Sequence, residues 1–150
     1  MVKRHKVSEE TKDALGYLYV KVDCPMTELE ETVFPSETPS IVAMADGEYG
    51  TGAHDYLIRK SLGFKDGQAV YSKSFTPISF VKKLAGGKEI AGVQSEQLLI
   101  MLKDRHEKLN AKYPSEFHEK FIAGLNMALE AQRERVESRM GRGVMGKLEK

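Results

Sequence analysis

The chain has a single cysteine, Cys24, in 150 residues. That excludes a disulfide framework or a cysteine-based zinc site built within one chain. An excess of charge of one sign is also missing. The net charge is +1 at pH 7, which argues against a general polyanion binder even though both ends are locally basic. No apolar run approaches membrane-spanning length, and the basic start MVKRHKV has no hydrophobic segment after it. Neither a spanning helix nor a secretory leader is expected, so the chain reads as cytosolic. Catalytic signatures are equally scarce. There is no paired-histidine ligand motif, no nucleophile elbow and no dinucleotide fingerprint, and no Gly-Lys-Ser/Thr follows the glycines of Asp46–Gly52. His54, His106 and His118 fall on a strand and two different helices, where surface or structural roles are expected. Asp104, Arg105 and His106 do not form an acid–base group, because adjacent helical residues face different ways. No enzyme is expected, and no metal or cofactor.

What is present is ordinary in amount: 41% hydrophobic and 30% charged residues. A chain of this length and composition is expected to form one domain with a real core. Ser8 caps an expected short helix that stops at Gly16, and Tyr17–Val22 reads as a strand. Pro25, Pro35, Pro39 and clustered acids make Cys24–Ser40 an extended connector or irregular arm. Ile41–Ala45, His54–Arg59, Gln68–Ser72 and Pro77–Lys82 are expected strands, separated by glycine-containing turns at Asp46–Gly52, Gly63–Gly67 and Ala85–Gly87. Short strands at that spacing predict a small antiparallel meander. Gly86-Gly87 before Lys88-Glu89-Ile90 predicts one further hairpin.

At Ser95 the period changes from two to about 3.6. Ser95 is the expected N-cap of a helix whose inward face carries Leu98, Leu102, Arg105 and Leu109. Pro114 ends it and Ser115 caps the next helix, with Phe117, Phe121, Leu125, Ala128, Leu129 and Val136 at core spacing and Gly141 and Gly143 as the stop. About 25 helical residues span roughly 37 Å, long for so small a domain, so a face against another subunit is expected. Gly124, Ala128 and Ala131 would let a second helix come close there. The fold class is therefore α+β: residues 1–53 as an N-terminal extension with strands, 54–90 as antiparallel strands and 95–146 as a helical hairpin, in an oligomer.

The hairpin ends in a row of arginines. Arg135, Arg139 and Arg142 stand at i, i+4 and i+7, on one side of the helix, with no carboxylate three or four residues before them. Arg133, by contrast, has Glu130 behind it and Glu137 ahead. A like-charge row costs a few tenths of a kcal/mol per pair, so an acidic neighbour or a bound anion is expected to offset it. Planar guanidinium groups suit phosphate oxygens. Tyr56, Tyr71 and Phe80 on the sheet and Tyr113 near the helical turn are candidates to stack a purine.

Several segments resemble a known family. They are ISFVKK at Ile78–Lys83, Gly-Val-x-x-Glu-x-Leu-Leu at Gly92–Leu99, DRHEKLNAKYPS at Asp104–Ser115 and ALEAQRERVESRMGRGVMG at Ala128–Gly146. Together Ile78–Gly146 is similar to the C-terminal helical hairpin shared by the phage Thoeris anti-defence sponge (the first family of that name) and the anti-CBASS cyclic-nucleotide sponge. Arg135, Arg139 and Arg142 fall on that family's arginine positions without a gap. Met145 replaces the usual acid of the terminal motif, and His118 stands where the family has an asparagine, so a contact made there is not carried over. Met1–Ala53 matches weakly or not at all, although the longer sponges do carry a β-sheet ahead of the hairpin.

The resemblance implies a non-catalytic phage or prophage protein of the host bacterial cytosol that sequesters cyclic nucleotide second messengers. Those are cyclic ADP-ribose isomers, with cyclic oligonucleotides at a separate site. It also implies a homo-oligomer, a hexamer built from dimers, with pockets shared between protomers. Arg135 and Arg139 are the expected phosphate contacts, with Arg105, Phe80, Tyr56 and His54 beside them and Arg142 serving a second site or an interface. The alternative is a structural or regulatory phage oligomer in which acids such as Glu28, Glu30 and Glu31 meet the arginines. Nucleic acid is a less favoured partner, because the net charge is near zero.

Overall fold

The computed structural model describes residues 4–5, 26–45, 53–83 and 85–143. The expected helix after Ser8, the strand Tyr17–Val22 and the turn Asp46–Gly52 lie outside these residues. The fold is α+β, an antiparallel sheet followed by two helices. The chain divides into two compact units, Met1–Phe80 and Val81–Lys150.

The first unit is a five-stranded sheet in simple order: β1 (Arg4–His5), β2 (Met26–Leu29), β3 (Ile41–Met44), β4 (Asp55–Lys65) and β5 (Gln68–Ser79). Every neighbouring pair is antiparallel. β2 corrects the expectation of an irregular arm from Cys24 onward. Met-Thr-Glu-Leu is too short and polar to announce a strand, yet Met26 and Thr27 are buried and pair with Met44 and Ala43. Tertiary pairing overrides propensity here. After it, residues 30–40 do run without regular structure. Phe34 from that arm meets Phe64 edge to face at 5.3 Å.

β4 and β5 are longer than their sequences imply. The expected breaks at Gly63 and between Ser72 and Pro77 are absorbed as irregularities inside one long hairpin. Its register shifts between Arg59 and Ser61 and again between Ser61 and Gly63. The turn itself is Asp66-Gly67, both at positive φ (53° and 78°) between the paired Lys65 and Gln68. That is the two-residue turn whose twist matches the strands. Pro77 sits inside β5 opposite Leu57. β5 is an outer strand of the sheet. Counting from the hydrogen-bonded pair His54 and Phe80, Pro77 falls in a non-hydrogen-bonded pair, so its missing N–H faces the open edge.

Period-two alternation divides the sheet's residues between its faces. Met26, Val42, Met44, Leu57 and Phe75 form the core cluster on one face, with Leu57 fully buried. Tyr56, Ala43 and Ile78 are cross-strand partners on the other.

The second unit begins with the expected small hairpin. β6 (Lys82–Lys83) pairs with β7 (Glu89–Ile90) around Gly86 and Gly87, both at positive φ. Two helices follow, α1 (Ser95–Lys112) and α2 (Glu116–Gly141). Ser95 is not the cap. Gln94 holds that position, and its backbone N–H donates to the Gln97 side-chain oxygen at 2.8 Å. This satisfies a donor that would otherwise be left open at the helix start. Ser115 caps α2 as expected, accepting from the Phe117 N–H at 3.1 Å. Its own N–H donates to Asn110 Oδ1 at 2.9 Å, which ties the end of α1 to the start of α2. Gly143, at φ 67°, follows the C-cap Arg142 and its N–H bonds Met140 O.

The faces of the helices differ from the expected ones. α1 has no fully buried residue, and Arg105 is exposed rather than turned inward. The buried residues of α2 are Leu125, Leu129 and Arg139, while Phe117 is 77% exposed. Arg139 at a last-turn position is the one charged side chain among the buried described residues.

Candidate functional site

The seven residues expected to bind ligand fall into two groups, one in each unit. In the first unit the sheet brings together His54, Tyr56 and Phe80. The Phe80 N–H donates to the His54 carbonyl at 2.7 Å, extending the β4–β5 ladder past its last strand pair. That bond continues the register of the two strands, in which the Tyr56 and Phe80 rings meet perpendicular with centroids 5.8 Å apart. Edge-to-face geometry places the positive rim of one ring on the negative face of the other. All three residues are half-buried, on the face opposite the core cluster.

In the second unit Arg135, Arg139 and Arg142 occupy the last two turns of α2 and its cap. They are not equivalent. Arg139 is 8% exposed, whereas Arg135 and Arg142 lie open to solvent. Arg142 donates its Nε–H to Ser138 O at 3.4 Å. Arg139 and Arg142 both have further interactions, so the row is not a bare stripe. Arg135 has no ion pair among the described residues. Arg133 is paired as its sequence neighbours predict, with Glu130 at 3.6 Å. Cations near a helix C-terminus also gain from the helix dipole, which offsets part of the like-charge cost. Arg105 is a surface residue of α1, two helical turns before the hairpin's bend.

Three features were not anticipated. Arg59 lies with its guanidinium 4.2 Å above the Phe75 ring and donates Nη1–H to Ser72 O at 3.3 Å. Register explains it, since Arg59 and Phe75 are direct cross-strand partners. Second, His106 and His118 face each other across the hairpin with Nδ1 atoms 3.1 Å apart. The signal was in the sequence: the two are equidistant from Lys112, where α1 ends, and such positions meet when a helical hairpin closes. His106 also stacks on Phe121 at 4.1 Å. Partial burial, then His118, then Arg105 lower its pKa from the ordinary histidine value. Third, Phe117, Lys120, Phe121, Gly124 and Leu125 line an open, mainly apolar cleft of about 450 Å³ along the first half of α2.

Among the described residues no group of three His, Cys, Asp or Glu side chains is placed to hold a metal ion. No described helix is long and apolar enough to cross a membrane. The second unit offers a guanidinium row suited to phosphate oxygens, and the first, taken by itself, an aromatic pair suited to a flat apolar ring. Comparison of the chain with protein-family models and with curated proteins finds no match.

Proposed function

We propose that this chain belongs to the class of non-catalytic binding proteins that sequester an anionic, nucleotide-type signal. More specifically, it acts as a phage anti-defence sponge. In the host bacterial cytosol it captures cyclic ADP-ribose isomers, and cyclic oligonucleotides at a second place, as a homo-oligomer built up from dimers to a hexamer. The observation that carries this reading is the arginine row. Arg139 is taken almost wholly out of water at 8% exposure, with Arg135 open one turn before it and Arg142 at the cap beyond. Three guanidinium side chains on successive turns at one helix end gain most from an anion with several oxygens. Within the first unit, the half-buried Tyr56–Phe80 pair is a separate surface suited to stacking a purine, and the likeness of Ile78–Gly146 to the sponge hairpin supports the choice of signal. Binding without turnover needs only tight burial, which lowers the free concentration of the messenger.

The test is thermal unfolding of the purified protein against a panel. It holds 2′- and 3′-linked cyclic ADP-ribose isomers, cyclic di- and trinucleotides, plain ADP-ribose and phosphate. A ligand at 100 times its dissociation constant adds about 2.7 kcal/mol of stability. A shift with one cyclic class above that with ADP-ribose or phosphate supports the reading, and no shift with any of them removes it.

A second reading is favoured by a separate observation. Ile100, Met101, Phe117, Met127 and Met140 are all more than half exposed along the hairpin, an apolar surface of the kind that subunits cover. On that reading the protein is a structural or regulatory oligomer. Exposed acids such as Glu30 and Glu31 would meet the arginines of another copy, with no small-molecule ligand.

A further inference from the structure

The contact between His106 and His118 has a defined geometry. Their Nδ1 atoms are 3.1 Å apart and their ring centres 5.3 Å apart. The difference is about two ring radii, so the two nitrogens lie almost on the line joining the ring centres and their in-plane directions oppose each other. That is the geometry of an N–H···N hydrogen bond. Two imidazoles on one tetrahedral metal at about 2.1 Å per bond would instead converge at an angle, with their nitrogens farther apart, at about 3.4 Å.

An opposed pair of this kind can hold one proton between its nitrogens but not two. With both rings neutral, one is the Nδ1–H tautomer and donates to the bare Nδ1 of the other. With one ring charged, the imidazolium donates to the neutral partner in a stronger, charge-assisted bond. With both charged, two N–H groups point at each other and two like charges meet at contact distance.

We propose that His106 and His118 form a one-proton latch between α1 and α2, closed at neutral pH by a shared Nδ1 proton and opened when both rings are protonated. The charges around it favour this behaviour. On α1, Arg105 adds a further positive charge beside His106, while the nearby carboxylates are already engaged, Glu107 with Lys103 at 3.8 Å and Asp104 with Lys108 at 2.9 Å. On α2, Glu116, Glu119 and Lys120 flank His118 but are exposed, where water and salt screen them. The lowered pKa of His106 has the matching sign, since the folded state disfavours its charged form. The first proton taken up near the ordinary histidine value of about 6.5 keeps the latch closed, and its stability is lost as pH falls further and the second ring becomes charged. Opening also releases Phe121, which stacks on His106 and lines the apolar cleft of α2.

The experiment is a pH series of thermal unfolding from 7.5 to 5.0 on the full chain and on His106→Gln and His118→Gln. It is paired with nitrogen NMR of the wild-type histidine rings at neutral pH. The wild type is expected to lose more Tm on acidification than either variant, because each variant keeps only one ring of the pair and has no second charge to meet. NMR is expected to show one protonated and one bare Nδ1 in the pair. An identical pH slope in all three proteins overturns the latch. So do two bare Nδ1 atoms in the wild type, or a rise in Tm with Zn²⁺ that the variants lack, since each of these describes a chelate. If a variant fails to fold, the ring tautomers of the wild type decide alone.

Discussion

The Phe80 N–H donates to the carbonyl of His54 at 2.7 Å, which carries the β4–β5 pairing one step beyond its last strand pair. Phe80 meets Tyr56 edge to face at 5.8 Å. Phe80→Leu keeps an apolar side chain but removes the ring. The expected loss of stability is about 0.5–1.5 kcal/mol from the ring pair. The loss of affinity for a purine-containing ligand is larger, about 1–3 kcal/mol if a base stacks there. Urea unfolding and calorimetric titration separate the two.

Arg135 and Arg139 are predicted to respond differently although they lie one turn apart. Arg135→Ala removes an exposed side chain with no ion pair among the described residues, so stability changes by less than about 0.5 kcal/mol. Affinity for an anionic nucleotide falls by about 1.5–3 kcal/mol, the worth of a charge-assisted hydrogen bond. Arg139→Ala removes a buried, engaged cation and lowers both stability and affinity. Equal and negligible effects of both substitutions on binding would assign the row to another role.

Much of this arrangement is legible in the sequence, and what is not has identifiable causes. The break at Pro114, the Ser115 cap and the glycine stop of α2 are local signals, and each appears where its residues predict. The Arg133–Glu130 pair follows from spacing alone. By contrast β2 depends on the strands beside it, and Met26–Leu29 carries no strand pattern of its own. Gly63 and the stretch between Ser72 and Pro77 read as breaks but are accommodated as irregularities within one long hairpin, whose outer strand carries Pro77. The inward face of α1 differs for another reason: Leu98 and Leu109 are half-buried, but Leu102 and Arg105 of the same expected face are exposed, and His106 meets His118 of α2. The aromatic pair of the first unit follows from strand register, whereas the burial of Arg139 in the second is a property of the folded chain.

Ser115 holds the bend at two points: its hydroxyl accepts from the Phe117 N–H at the start of α2, and its own N–H donates to Asn110 Oδ1 on α1. Ser115→Ala removes only the first contact and is expected to cost about 1 kcal/mol, the usual worth of a helix N-cap. Asn110→Ala removes only the second. Equilibrium urea unfolding of both variants and the double mutant gives the coupling, which is expected to be non-zero because both bonds hold the same bend.

The Asp66-Gly67 turn sets the register of the longest hairpin. Gly67 lies at φ 78° with open space where a Cβ would stand. Gly67→Ala therefore costs backbone strain and no clash, about 1 kcal/mol. A much larger loss in chemical denaturation would show that the turn carries packing as well as conformation.

The central claim is capture of a cyclic nucleotide signal without turnover, and the most direct measurement follows the ligand rather than the protein. A cyclic ADP-ribose isomer is mixed with excess protein, the free ligand is quantified by mass spectrometry, and the protein is then heat-denatured. The account predicts near-complete disappearance of free ligand, recovery of the same intact compound after heating, and failure of capture in an Arg135→Ala, Arg139→Ala double variant. Free ligand that stays at its input concentration, or a hydrolysed product after heating, would contradict it.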